Sequence, residues 1–147
     1  MAIFLPKGFF GMQMTLIKNT DTGAALAYKI ARVVYAQTGA NTLLGVEALT
    51  SMIKNLSDAS GTDIYSIVTD KNIFDALCTD SARYSRLSVP ADNRGFQMCV
   101  RVARRMLSGG LVDMCFGATR FHNTDVLPSW AVARGYIADI DGMLFYL

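Results

Sequence analysis

Apolar positions recur at helical spacing in three stretches of the chain. Between about Gly23 and Tyr35, Leu26, Ile30, Val33 and Val34 fall on one face, with Lys29 and Arg32 off it. Asp21 and Thr22 stand where a helix N-cap is expected. A second stretch, about Leu43 to Leu56, carries a stripe of Val46, Leu49, Ile53 and Leu56, with Met52 beside it and Glu47 and Lys54 off it. A third, about Arg94 to Leu107, turns Phe96, Val100, Ala103 and Leu107 to the core. It leaves Arg101, Arg104 and Arg105 as a solvated face and stops at Gly109-Gly110. The first two helices are joined by a short turn at Thr38-Gly39-Ala40-Asn41, which predicts antiparallel neighbours with the end of the first helix at their mouth.

The remainder follows other rules. Ile64 to Thr69 alternates weakly, as a short helix or a strand. Ile73, Phe74 and Leu77 form a further apolar turn, and Asp80 to Asn93 is polar and reads as a long surface loop. In the last third, Ala118 to His122 has an extended pattern and Pro128-Ser129-Trp130 an irregular aromatic one. Tyr136 to Ile140 and Met143 to Leu147 are β-prone runs around Asp141-Gly142, a strong two-residue hairpin signal. The pattern predicts an α+β fold, mostly helical, with a small C-terminal antiparallel sheet. It forms a single domain over 1–147, with 1–20 as an N-terminal arm.

Composition sharpens this picture in a few places. The 147 residues suit one core, and 52% apolar with 18% charged residues excludes a disordered tail. A net charge of +2 gives no reason to expect nucleic acid, but permits weak attraction to an anionic polymer. Cys78, Cys99 and Cys115 are odd in number and lack metal or disulfide spacing, so they are expected to be buried thiols. The apolar start, Met1 to Gly11, is broken by Pro6-Lys7-Gly8 and has no leader pattern. No run reaches a membrane-spanning length. The expectation is a soluble chain without integral membrane contact, exported by other means or shorn of its leader.

Common catalytic machinery is absent. His122 is the sole histidine, so a multi-histidine metal site is impossible and no metal or cofactor is expected. Thiol catalysis would need His122 as its base, with nothing to orient it. Of the 12 acids only Glu47 is a glutamate, and its place off the apolar stripe reads as a solvated charge.

Two segments carry a resemblance. One is Ala31-Arg-Val-Val-Tyr-Ala-Gln-Thr-Gly39 followed by Gly45-Val-Glu-Ala-Leu-Thr-Ser-Met-Ile-Lys-Asn55. The other is Gly117-Ala-Thr-Arg-Phe-His-Asn123, then Pro128-Ser-Trp130, then Ile140-Asp-Gly-Met-Leu-Phe-Tyr146. Their order and spacing, with Phe96 to Gly109 between them, resemble the SleB/CwlJ-type cell-wall hydrolases, the group that includes spore-cortex-lytic enzymes. The resemblance spans about Ala31 to Tyr146. Gln37 stands where that family has its catalytic Glu. The Asn-Arg that closes the family's second helix keeps only Asn55, Met143 replaces a late His, and Asp141 replaces a Gly.

The resemblance implies a lysozyme-like cleft that cuts peptidoglycan glycan strands beside N-acetylmuramic acid, by a lytic transglycosylase or muramidase route with one acid/base carboxylate at position 37. Tyr35, Thr119, Phe121, His122, Asn123 and Trp130 would line the glycan site. Each also has a structural reading: His122 as a satisfied structural histidine, Trp130 as a core-edge aromatic, Phe121 as core. An amide cannot donate the proton that the leaving oxygen requires. Gln37 is therefore either a Glu→Gln change that traps substrate, which the well-kept motif favours, or native in a non-catalytic peptidoglycan-binding pseudoenzyme. A cell-wall amidase is the weaker alternative. The partner expected is the glycan strand, the oligomeric state monomeric, and the setting the cell envelope or phage lysis, as for an endolysin.

Overall fold

The computed structural model of the chain describes residues 14–147. The first thirteen residues, with most of the expected N-terminal arm, lie outside them. Four helices come first: α1 (Ala24–Thr38), α2 (Leu43–Ser60), α3 (Ile64–Val68) and α4 (Arg94–Leu107). Three short strands follow: β1 (Arg120–Asn123), β2 (Ala138–Ile140) and β3 (Met143–Tyr146). They form one antiparallel sheet in the order β1-β3-β2. The fold is α+β, as the periodicity predicts.

The helices pack through the stripes read from the sequence. Ile30, Val33 and Val34 of α1 meet Val46, Leu49 and Ile53 of α2 and Phe96, Val100 and Ala103 of α4 in one buried cluster. Several expectations need correction. Neither Asp21 nor Thr22 caps α1. Its N-cap is Gly23, with no side-chain hydrogen bond, and Asp21 instead accepts from the Lys18 N–H. In α4 the last core residue is Met106, and Leu107 is exposed. Glu47 is not a solvated charge. Its side chain is only 15% exposed and pairs with Arg105 at 2.7 Å, which also takes Arg105 out of the free arginine face. The segment expected as a long loop contains a short 3₁₀ turn, Tyr84–Ser88, held against α1 because Arg32 donates to the carbonyls of Leu87 and Val89 and Arg86 donates to that of Ala36.

The Asp141-Gly142 turn forms the expected hairpin, with both residues at positive φ (53° and 76°). It also reaches α2. The Asp141 carboxylate accepts from Thr42, the N-cap of α2. A Cβ on Gly45 would come within 2.5 Å of the Asp141 carboxylate, so glycine lets the hairpin tip approach the helix start closely without displacing Asp141. This contact fixes the sheet against the helical layer.

Register decides which side chains share a face. Phe121 pairs with Phe145, His122 with Leu144 and Asn123 with Met143. Successive strand residues point to opposite faces. Phe121 and Asn123 therefore turn toward the helices while Arg120 and His122 turn away.

Candidate functional site

Gln37 is the penultimate residue of α1, just before the left-handed Gly39 that ends the helix. It is 1% exposed. The Ala76 N–H donates to its Oε1 at 2.8 Å. Its Nε2 donates to the Asp75 carboxylate at 3.0 Å and to Asn123 Oδ1 at 2.6 Å. Asn123 in turn donates from Nδ2 to the Gln37 backbone carbonyl at 3.1 Å. The orientation of the Gln37 amide follows from its partners, because a backbone N–H can only donate and an ionised carboxylate can only accept. Both amide hydrogens are used, and a general acid has no proton to give from this position.

Asp75 opens a 3₁₀ turn, Asp75–Leu77. Burial pushes its carboxyl up, but hydrogen bonds from Ser81 and Gln37 and the adjacent Arg83 guanidinium outweigh that and hold it below its ordinary value of 3.8. Arg83 bridges Asp75 at 3.0 Å and the exposed Asp125 at 2.6 Å. The one carboxylate touching position 37 is thus held ionised. That is the opposite of the neutral acid that glycosidic cleavage requires.

The other candidates separate into two groups. Tyr35 is two residues before Gln37, about 200° round the helix at 3.6 residues per turn. Its ring packs near Gly95 at the start of α4, where an added Cβ would meet Tyr35 Cε1 at 3.3 Å. It therefore belongs to the α1–α4 contact, away from the Asp75 network. His122 lies on the outer face of the sheet. Its Nδ1 donates to the Asn123 carbonyl at 2.8 Å, which leaves Nε2 to accept from the Tyr146 hydroxyl at 2.8 Å in the neutral ring. The Tyr146 ring stacks on it at 5.5 Å, and Trp130 meets both edge-on. His122 is buried and its ring nitrogens are both engaged.

Trp130 stays half-exposed, and the Arg120 guanidinium sits over its ring, 5.3 Å from the centroid. Beside them, at the free edge of β1, opens a cavity of about 260 Å³. It is lined by Leu56, Asn72, Ile73, Thr119, Arg120, Phe121 and Trp130. Thr119, Phe121 and Trp130 come together here, while Gln37, Tyr35, His122 and Asn123 do not line it. A larger groove of about 460 Å³ lies between the segment before α1 and α1 itself, near Lys18, Lys29 and Arg32, and holds none of the candidates.

Asp75, Arg83 and Arg120 are site neighbours that the sequence reading did not single out, and Tyr146, which reads as core, is a fourth. Asp75 is hidden in an apolar turn, and only the pairing of β1 with β3 brings Tyr146 to His122. Among the described residues, no group of three His, Cys, Asp or Glu side chains is placed to hold a metal, and no helix is long and apolar enough to cross a membrane. All three cysteines are free. Burial pushes the Cys99 and Cys115 thiols up to about 12, so neither is a ready nucleophile near neutral pH.

The model of the family described as Cell Wall Hydrolase matches residues 45–146, well over half of the chain. The match begins inside α2. Thr119, Phe121, His122, Asn123 and Trp130 fall within it, whereas Tyr35 and Gln37 precede it. No curated protein and no solved structure matches the chain.

Proposed function

The chain belongs to the cell wall hydrolase family, and from that premise we propose that it recognises peptidoglycan glycan strands at the β1-edge cavity without cutting them. The family's substrate is the bacterial wall, and its action lies at the cell envelope or in lysis. The finer reaction that the resemblance implies is cleavage beside N-acetylmuramic acid by a muramidase or lytic transglycosylase route, with position 37 as the single acid. Gln37 removes that acid.

The observation behind this reading is the hydrogen bonding of Gln37. Its Nε2 meets two acceptors and its Oε1 meets a donor, so the surroundings suit an amide at neutral pH. A carboxylate there would lie 3.0 Å from the ionised Asp75 and would have to take up a proton, which the amide does not need. This favours Gln37 as the resident side chain of a binding pseudoenzyme over a substitution made in an active site. The cavity retains Thr119, Phe121 and Trp130, which supply a hydroxyl and aromatic surface for a sugar.

Purified sacculi test the proposal directly. The chain should sediment with sacculi and release no muropeptides by mass spectrometry. Gln37→Glu, assayed beside it, asks whether an acid at this position suffices, since a general acid is typically worth about 10²–10⁴-fold in rate. Release by the unaltered chain would show that catalysis runs through another group and would end the pseudoenzyme reading. Release by Gln37→Glu alone would identify position 37 as the family's acid.

A further inference from the structure

Arg120 stands apart from the other cations near the sheet. It is exposed on β1, lines the cavity, and has no acidic partner among the described residues. Arg83, in the loop leading to α4, is by contrast fully engaged by Asp75 and Asp125. Among the described residues, the partner of the Arg120 guanidinium is the Trp130 ring. That contact engages the charge of the cation and leaves its N–H donors free. Trp130 is itself wedged edge-on against His122 and Tyr146, so it offers a firm seat. The result is a preset, unspent guanidinium at the rim of a cavity whose other lining is apolar apart from Asn72 and Thr119.

We propose that Arg120 is the specificity residue of this site and reads a carboxylate on the bound glycan. This rests on the glycan-binding reading above and narrows it. A neutral sugar polymer gives the guanidinium nothing to pair with, whereas muramic acid residues carry anionic groups beside the ring. The carboxylate has two possible sources, the lactyl group of a stem-free strand or the free carboxylates of a peptide stem. A guanidinium recognises either by the same two-pronged hydrogen bonding.

The test is a binding series on three probes: chitooligosaccharides, which carry no carboxylate; amidase-treated glycan strands, with free lactyl groups; and strands that keep their stems. The chain should bind at least one muramic probe roughly tenfold or more tightly than the neutral one, the scale of a charge-assisted hydrogen bond. The preference should shrink as salt rises. Arg120→Gln should abolish the preference and leave the weak affinity for chitooligosaccharide. Arg120→Lys should restore part of it, and Arg104→Gln, an equal charge change on the exposed face of α4, should leave it intact. Preference for the stem-free strand assigns the lactyl group, and preference for the stem-bearing strand assigns the stem. A preference that survives Arg120→Gln overturns the proposal, as does equal binding to all three probes, and in both cases glycan binding itself stands. Absence of binding to every probe overturns this proposal and the proposed function together.

Discussion

Two glutamines are buried among the described residues, and their surroundings are built differently. Gln97, 0% exposed on α4, has backbone groups as its close partners and the Tyr28 hydroxyl at 3.5 Å. Its Oε1 accepts from the Ile17 N–H at 2.9 Å, and its Nε2 donates to the carbonyls of Ile17 at 3.1 Å and Ala91 at 2.8 Å. Gln37, 1% exposed on α1, has one backbone donor and two side chains, one of them a carboxylate. Gln97 ties the segment before α1 to the helical layer and has no carboxylate partner. Gln37 is connected through Asp75 to Ser81 and Arg83 and through Asn123 to the sheet. Burial and a full set of hydrogen bonds are common to both. An ionised carboxylate partner belongs to Gln37 alone.

The largest effects should come from removing either amide. Gln97→Leu strands the Ile17 N–H and takes a donor from the Ala91 carbonyl, while the Ile17 carbonyl keeps the Tyr28 hydroxyl. Gln37→Leu strands the Ala76 N–H and Asn123 Oδ1, while Asp75 keeps Ser81 and Arg83. At about 1–3 kcal/mol for each buried group left unsatisfied, each change should cost about 3 kcal/mol. Urea unfolding at neutral pH measures both, provided the slope of the transition is unchanged. A much larger loss for Gln37→Leu would mean that its network, and not the Gln97 clasp, holds the helices together.

Gln37→Glu then separates the two by pH. A Glu beside the ionised Asp75, out of water, has its folded-state pKa raised above the ordinary value near 4.3. The folded state then binds the proton more tightly than the unfolded chain, so stability falls as pH rises above that value, by about 1.4 kcal/mol for each unit of elevation. The unaltered chain has the opposite dependence on this acid. Asp75 is held below 3.8, so its contribution is present above that pH and is lost as pH falls through its lowered value. The gap between the two proteins should therefore widen from about pH 4 to pH 7. A gap independent of pH would mean that position 37 and Asp75 do not share a proton.

Much of this fold is legible in the sequence because it is local. The span Arg94–Leu107 of α4 follows from its apolar period and its Gly-Gly stop, and the Asp-Gly hairpin follows from two residues that tolerate positive φ. Of the candidate site residues, Thr119, Phe121 and Trp130 line one cavity at the β1 edge. What the sequence hides is pairing at long range. Asp75 lies 38 residues from Gln37 and Asn123 lies 86 away, and no local pattern reports either contact. Glu47 misleads for the same reason, because the residue that shields it, Arg105, is on another helix. The register of β1 against β3 splits Phe121-His122-Asn123 between two faces, so a motif contiguous in sequence becomes two sites in space.

The smallest effect sharpens the boundary of the Gln37 network. Arg83 has an inner arm to Asp75, whose side chain is 29% exposed, and an outer arm to Asp125, which is 64% exposed. The outer pair is the shorter, 2.6 Å against 3.0 Å, and by distance alone it would rank first. Solvent reverses that ranking, since an exposed ion pair is screened and its gain is largely cancelled by holding two long side chains in place. Asp125→Ala should change stability by less than about 0.5 kcal/mol, with the difference vanishing in high salt, because Arg83 retains Asp75. Asp75→Ala, which takes from Arg83 its inner partner and from the Gln37 amide one of its two acceptors, should cost about 2 kcal/mol and keep most of that in salt. If removal of Asp125 cost as much as removal of Asp75, the network would have to extend as one cooperative unit to the surface, and Gln37 would be coupled to solvent in a way its burial denies.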